Sequence, residues 1–398
     1  MRRGELNDRP VIDLILESNT IDAEWVQPTK GRWSGSSGIQ LFIQNSINRP
    51  GSNPVNFIPD YDVFNIGAFT IQSYEFGNNT LELGARFDFQ SLSVADTIRD
   101  NFIYDNQISY KNATFTLGLQ KRINRDITFF SNIGTAWRPP NAAELYSFGY
   151  HHSRFQYGLW RYDFQPNIFT PENQVFDQSV RPVSAEKGVK WVSGLELRKA
   201  KLDAEFIVYA NQINDYIFLR PYGITINVRG TFPFFIYDQT DAFFFGSDWD
   251  LRYKHSQAIS SEVKISYVHA RDMKINQALI EIPPLNVHYE ASFRKEALKF
   301  EFNVSYTARQ WNAPPVKEPS SFQDGEAEVD RNEIFDFMSA PESFILFGGK
   351  VGYEKKKWST EFRADNILNT SYRINTNRLR YFADAPGRNF SIALEYKF

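Results

Sequence analysis

Apolar and polar residues alternate with a period of two along much of this chain, the pattern of a strand with unlike faces. From Lys299, the residues Phe300, Phe302, Val304 and Tyr306 fall on one side and Glu301, Asn303 and Ser305 on the other. Leu81, Leu83, Ala85, Phe87 and Phe89 alternate in the same way with Glu82, Gly84, Arg86 and Asp88. Leu202, Ala204, Phe206 and Val208 alternate with Asp203, Glu205, Ile207 and Tyr209, and Phe390, Ile392, Leu394, Tyr396 and Phe398 with Ser391, Ala393, Glu395 and Lys397. Short polar turns are predicted at 77–79, 122–126, 199–201, 295–297 and 354–357. Between these hairpins lie long stretches read as irregular: 91–107, 138–185, 211–242, 270–284, 309–340 and 365–386.

A soluble sandwich also alternates, but compact soluble domains rarely interleave short turns with loops longer than about 15 residues. Outer-membrane barrels do so systematically, with short periplasmic turns and long outer loops. The inward set is charged or small, including Glu82, Arg86, Asp88, Glu301, Glu361 and Arg363. Such residues would destabilise a dry sandwich core, whereas a wide, wet lumen accommodates them. The predicted fold is all-β: one antiparallel transmembrane β-barrel unit over residues 1–398, with roughly sixteen strands.

Composition sharpens this picture. Of the 398 residues 16% are aromatic, with 36 Phe, 20 Tyr and 8 Trp, which suits a wall banded by aromatic girdles. No stretch approaches the roughly 20 apolar residues that a membrane helix needs, so only a closed barrel would satisfy the backbone in a bilayer. A formal net charge of −3 gives no global field that recruits nucleic acid. The absence of cysteine removes disulfide scaffolds, thiolate metal sites and cysteine nucleophiles. Arg2 and Arg3 are followed by no apolar core, and 11–16 reads as a strand, so no export signal is expected within the chain.

Three segments, in order, resemble the TonB-dependent receptor family. Residues 135–146, running Thr-Ala-Trp-Arg-Pro-Pro-Asn-Ala-Ala-Glu-Leu-Tyr, are similar to its aromatic-Arg-x-Pro…Glu-Leu signature and contain Arg138, Pro139 and Glu144. Residues 365–373, Asp-Asn-Ile-Leu-Asn-Thr-Ser-Tyr-Arg, resemble the segment that opens the last loop and include Asn366. Residues 385–390, with Gly387 and Arg388, resemble the Pro-Gly-Arg approach to a last strand, which here ends on the aromatic Phe398. Lesser matches lie at 84–88, 185–188 and 213–217.

The resemblance implies a receptor in the outer membrane of a Gram-negative bacterium. It also implies as partners the TonB complex, the barrel-assembly machinery (through Phe398), outer-membrane lipid, and a small-molecule or metal ligand. Family barrels have about 22 strands and carry a plug domain and a TonB box. Neither is recognisable here, so the chain is expected to be a barrel domain truncated at its N-terminus, with TonB contacts made by the missing part of the parent. Pro139 and Pro140 are expected to fix the exit of their strand, and Glu144 to anchor the following loop by hydrogen bonds.

The substrate is legible only through the loops. The stretch 146–169 places His151 beside His152, with Tyr150, Arg154, Trp160 and Arg161 nearby. Adjacent imidazoles can ligate a transition metal, although in a strand they point to opposite sides. Arginine can pair with the anionic oxygens of an iron chelate while rings cover its apolar face, and Tyr237, Trp249 and Trp311 join the candidates. These same residues also suit a hydrated loop or an aromatic girdle. The acidic run 323–336 lacks the spacing of an EF-hand and reads as a solvated loop.

There is no Gly-x-Ser-x-Gly elbow, His-Glu-x-x-His, phosphate loop or dinucleotide fingerprint, so no catalytic residue, enzyme activity or cofactor is expected. The expected role is energised uptake of a scarce ligand, with an iron–siderophore complex placed first and zinc or haem as alternatives. A passive porin-like or adhesin barrel is the rival of another class.

Overall fold

The computed structural model describes residues 12–49, 57–94, 97–98, 101–102, 107–151, 154–160, 178, 181–227, 230–318 and 333–398. The chain opens with β1 (Leu14–Lys30), β2 (Trp33–Asn48), β3 (Tyr61–Phe76) and β4 (Asn79–Val94). Two short pieces, β5 (Thr97–Ile98) and β6 (Asn101–Phe102), precede β7 (Gln107–Arg122) and β8 (Ile127–Arg138). Next come α1 (Ala142–Tyr146), the short β9 (Phe148–His151) and β10 (Arg154–Tyr157), and then β11 (Glu186–Arg198), β12 (Leu202–Asn227) and β13 (Gly230–Lys254). The series ends with β14 (Ile259–Asp272), β15 (Gln277–Ala278), β16 (Asn286–Lys295), β17 (Leu298–Thr307), β18 (Phe344–Lys355), β19 (Trp358–Asp365) and β20 (Asn389–Tyr396).

All but β5 and β6 join one sheet of 18 strands. Three of these, β9, β10 and β15, are short strands within the long connections, which leaves fifteen in the wall among the described residues, against the roughly sixteen expected from sequence. Wall strands pair antiparallel with their neighbours along the chain, from β1–β2 through to β19–β20. Among the described residues no ladder joins β1 to β20, so these two are the edges of the sheet.

The hairpin turns fall where sequence places them. Two further ones, at 31–32 and 255–258, complete the series. Gly31 and Gly77 sit at φ +65° and +59° in two-residue turns, a left-handed conformation that glycine adopts without steric cost.

Alternation decides which side is which. Leu83, Phe87, Phe115, Ile133, Phe302 and Ile392 are exposed on one side. The other carries hydrogen-bonded charges: Arg86 pairs with Asp88 at 2.6 Å and donates to Gln40 at 3.1 Å, and Lys350 pairs with Glu301 at 2.5 Å. An apolar outer face around a charged inner one is the inverse of a soluble sandwich, and it matches a wall that faces lipid. Rings gather at the short-turn end, with Trp33 on Tyr74 at 4.8 Å and Trp358 on Tyr396 at 4.6 Å, as an interfacial girdle does.

Expected loops are corrected: 138–185, read as irregular, carries α1, β9 and β10, and the larger correction is the next long stretch. Residues 211–242 are not irregular but are the outer halves of β12 and β13, strands of 26 and 25 residues paired as far as Asn227↔Gly230. A membrane crossing uses only about 9–11 residues of a strand, so this ribbon continues well beyond the wall. It survives there because its apolar residues find cover: Phe218, Leu219, Ile224, Phe235 and Ala242 are buried with Leu279, Ile280 and Phe337. A bulge between Ile213 and Tyr216, with Asp215 at φ +55°, resets the register where the ribbon leaves the wall. Among the described residues the hydrophobic cores thus lie at the long-loop end, where the outer parts of the strands meet the long connections.

Candidate functional site

Two constructions occupy the long-loop end, and the first is a latch centred on Arg138. Its Nε and Nη2 donate to the two oxygens of Glu186 at 2.8 and 2.7 Å, and its Nη1 donates to both oxygens of Glu144 at 2.8 and 2.9 Å. Pro139 and Pro140 end β8, and Asn141 caps α1. The Asn141 side chain accepts from the Glu144 N–H at 2.9 Å, while the Asn141 N–H donates to Glu144 Oε2 at 2.9 Å, closing a capping box. Glu186 also accepts from the Ile217 N–H at 2.7 Å. One guanidinium, through its two carboxylates, therefore ties the end of β8 and the start of β11 to α1 and to the middle of β12. Beneath it, Leu145, Tyr146 and Trp160 fill a closed core.

The last connection is built as tightly. Asn366, at φ +49°, exchanges hydrogen bonds with the backbone of Thr370 at 2.8 and 2.9 Å. Asn369 Oδ1 accepts from the Arg388 N–H at 2.9 Å, which fastens the loop to the start of β20. A Cβ on Gly387 would stand 2.7 Å from that same oxygen. Gly387→Ala is therefore expected to break the Asn369–Arg388 contact and to cost about 1–3 kcal/mol. A lowered thermal midpoint of the detergent-solubilised protein checks this; an unchanged midpoint would show that Asn369 moves aside freely. Phe398 is fully exposed, with its ring 5.1 Å from that of Tyr396.

The second construction is a small sheet formed by β9, β10 and the outer part of β13. Antiparallel pairing sets Arg154 opposite His151, and parallel pairing sets Gln156 opposite Phe235. Alternation then sorts the side chains onto two faces. One face is a ring cluster in which Phe155, Tyr157, Tyr222 and Phe234 meet edge to face at 5.0–5.4 Å. The other carries His151, Arg154, Gln156, Phe235 and Tyr237.

Against that second face lies the last long connection. The Arg378 guanidinium sits 5.4 Å over the Phe235 ring and forks onto Glu281. Tyr381 packs edge-on to Phe337 at 5.9 Å and donates to Asp336 at 2.7 Å, and Asp336 is also paired with the buried Arg380. Arg220 is held by Asp238 at 2.9 Å, and Arg373 by Asp384 at 2.6 Å. Arg154 differs from these arginines. Among the described residues its hydrogen bond goes to the amide oxygen of Gln156, at 3.2 Å, and to no carboxylate. Burial first, and then the neighbouring Arg378, lower the Arg154 guanidinium to about 10, so it remains a cation at neutral pH while being poorly solvated. Burial pushes the phenols of Tyr237 and Tyr381 up, so both stay protonated donors.

The residues singled out from sequence divide among these surroundings. Arg154, His151 and Tyr237 come together on one face. The His151 ring packs on Phe57 at 5.2 Å. Tyr150 points to the opposite face, against Phe155 and Phe232, with its hydroxyl 3.2 Å from Thr225 Oγ1.

Trp160, expected as a ligand contact, is fully enclosed: its indole donates to the Arg181 carbonyl at 2.8 Å and its ring meets Tyr146 edge-on. It presents no face to a ligand. Trp249 is on the outward side of the wall beside Phe206, and Trp311 is exposed with its ring stacked on Tyr267 at 6.0 Å. His152, Arg161 and most of the acidic run lie outside the described residues. Among the described residues no cluster of three or more metal-ligating side chains occurs.

Sequence reading missed Gln156, Glu281, Arg378 and Tyr381. Gln156 was signalled only by the alternation of 148–157, and the other three reach this face from connections far away along the chain.

Comparison with known proteins follows the same lines. The sequence model of a family described as TonB dependent receptor-like, beta-barrel matches residues 13–390. The copper transporter OprC superposes with a TM-score of 0.72 at 15% identity, over 97% of this chain and 57% of its own. The FrpB iron transporter from Neisseria meningitidis (F3-3 variant) gives 0.68 at 13% identity, over 97% and 55%. The siderophore receptor PirA from Acinetobacter baumannii gives 0.65 at 14% identity, over 97% and 55%. The chain thus spans a little over half the length of these solved structures, and at such identities the likeness is one of fold. No curated protein matches the sequence.

Proposed function

The chain belongs to the TonB-dependent receptor family of β-barrels, and on that premise we propose that it forms the wall and ligand-capturing loops of an outer-membrane receptor for an iron chelate, a siderophore complex. The observation that carries this reading is the Arg154 face. A desolvated guanidinium that, among the described residues, is hydrogen-bonded to no carboxylate stands beside Gln156, with the protonated Tyr237 and Arg378 close to it, while the Tyr381 hydroxyl is given to Asp336. Ferric chelates present paired anionic oxygens at a compact rim. A guanidinium forks onto such pairs, phenols donate to them, and ring faces cover the apolar backbone of the chelator.

Capture involves no covalent step. Energy for release into the periplasm would come from the TonB complex acting on the rest of the receptor. Phe398 would serve as the terminal aromatic read by the barrel-assembly machinery. Zinc and haem are the alternative ligands, and the presence of His151 on the same face is what favours them. A passive porin-like or adhesin barrel is the reading of another class.

Uptake assays separate these readings. Cells carrying the receptor would be offered radio-iron as ferric citrate, a ferric tris-catecholate or a ferric tris-hydroxamate, and in parallel arms haemin and zinc. The expected result is accumulation of at least one ferric chelate that vanishes in cells lacking TonB. Accumulation of zinc or haemin alone would move the assignment to those ligands. Uptake that persists without TonB would overturn energised transport.

A further inference from the structure

The membrane-facing side of β1–β3 carries a group of polar side chains that ligand capture does not use. Gln27, Ser37, Thr70 and Gln72 all stand on the outward register, fixed by the pairs Gln27↔Gly35, Ser37↔Thr70 and Gly35↔Gln72. They form one network: Gln27 Nε2 donates to Ser37 Oγ at 3.2 Å, Ser37 Oγ to Thr70 Oγ1 at 2.9 Å, and Gln72 Nε2 to Thr70 Oγ1 at 3.0 Å. The next outward pair toward the short turn is Trp33↔Tyr74, the stacked rings of the interfacial girdle. The Gln72 amide lies over Gly35, where a Cβ would approach its Nε2 to 2.7 Å.

Amides facing hydrocarbon cost free energy unless their hydrogen bonds are made. This network satisfies one N–H of each glutamine, while among the described residues neither glutamine carbonyl accepts a hydrogen bond. The polar quartet sits just inside the girdle, the depth at which the glycerol esters of a bilayer lie beneath their headgroups.

A groove of about 590 Å³ leaves this spot and crosses the outer face of the wall. It starts beside Trp33 and Gln72 and reaches Val189 on β11. Small residues, Thr70 and Ala85 on one side of Phe115 and Thr135 on the other, lower an otherwise bulky face, and Leu83, Leu117 and Ile133 form one bank. From β3 to β11 the groove passes over five adjacent strands, a span of roughly 19 Å at the usual spacing, which an extended long-chain acyl group fills.

We infer that this groove and quartet form a binding site for one diacyl glycerophospholipid, with an acyl chain in the groove and its ester and headgroup region at Gln27 and Gln72. The second N–H of each glutamine would donate to an ester carbonyl, and the glutamine oxygens would accept from a donor headgroup such as ethanolamine. The site is continuous with the membrane-facing band and lies at its short-turn end, which commits the occupant to the periplasmic leaflet and thus to phospholipid, not lipopolysaccharide. The inference rests on the membrane-barrel reading of the wall and is independent of which ligand the loops capture.

Native mass spectrometry of the whole receptor, extracted from the outer membrane in mild detergent, tests it. The wild type is expected to retain one phospholipid through detergent exchange. Ala85→Phe, which fills the groove, is expected to lower that occupancy at least tenfold. Gln72→Leu keeps the shape and removes the donor, and is expected to lower it several-fold even if the bulkier variant fails to insert. Ala291→Phe alters an outward alanine paired with Phe302, far from the groove, and is expected to leave occupancy unchanged. Equal retention in wild type and Gln72→Leu, or lipopolysaccharide as the sole retained lipid, would overturn the assignment.

Discussion

Replacing Arg138 with alanine is expected to lower the stability of the outer end of the wall by about 2–4 kcal/mol, the largest effect of any single loop substitution here. The magnitude comes from what is left behind. Glu144 and Glu186 have side chains only 10% exposed, and both lose their counter-charge at once. Each is also committed elsewhere, Glu144 to the Asn141 N–H and Glu186 to the Ile217 N–H, so neither can swing out to water without releasing a backbone donor.

Breaking a fully buried pair costs about 3–5 kcal/mol. The Arg138 side chain is 43% exposed, so water reaches the gap and the lower part of that range applies. Lysine at this position keeps the charge but cannot fork onto two carboxylates, and should fall between the two. Glu144→Gln should be milder, because an amide oxygen still accepts from Asn141. Thermal unfolding of the solubilised receptor and protease sensitivity between β8 and β11 report the effect together. A midpoint for Arg138→Ala within a degree of wild type would mean that the core around Tyr146 and Trp160 holds this end without the latch.

The latch also shows what a sequence reveals and what it withholds. The wall was legible because its rule is local: each strand repeats every two residues, and each short turn carries its own polar or glycine signal. Glu144 was expected as the loop's anchor, but its capping box with Asn141, three residues away and equally local, was not read from the sequence. The partner of Arg138 across the sheet, Glu186, is 48 residues away and becomes a neighbour only once β8 and β11 pair.

The long ribbon of β12 and β13 escaped because its outer half is held by burial against Leu279, Ile280 and Phe337, and nothing within 211–242 announces that cover. Pro221 and Pro233 within it read locally as breakers, yet both sit in paired strands, Pro221 next to a register shift. Ligand candidates chosen by residue type met the same limit. Trp160 and Arg154 lie six positions apart in one aromatic loop; packing buries the first and leaves the second as a cation that, among the described residues, is hydrogen-bonded to no carboxylate. Arg378 and Tyr381 reach that cation only through the fold of the last connection.

Alanine at Arg154 is expected to separate capture from folding more cleanly than any other change. The side chain is half-buried, its hydrogen bond is to Gln156, and of the charges acting on it the like-charged Arg378 comes first, with Glu281, itself held by Arg378, opposing it. Among the described residues removal of Arg154 leaves no carboxylate without an ion-pair partner, since Glu281 keeps Arg378, and it relieves a repulsion, so the thermal midpoint should stay level or rise slightly. An anionic ferric chelate, by contrast, would lose the guanidinium that meets its oxygens out of bulk water. Truncating one partner of such a desolvated pair costs about 2–4 kcal/mol, a weakening of roughly 30- to 1,000-fold.

Lysine should recover part of the affinity through charge alone, since it cannot fork. Phenylalanine at Tyr237 should cost less, about tenfold, because a neutral donor is lost while the ring remains. Binding of the three ferric complexes to wild type and variants, followed by quenching of intrinsic fluorescence, gives these ratios directly, with haemin and zinc as comparisons. A selective loss for the ferric chelates in Arg154→Ala, at unchanged stability, ties the cation to the chelate. Equal affinity in wild type and variant would remove this face from ligand capture and shift attention to His151, whose replacement should then abolish binding of zinc or haemin while leaving the ferric chelates untouched.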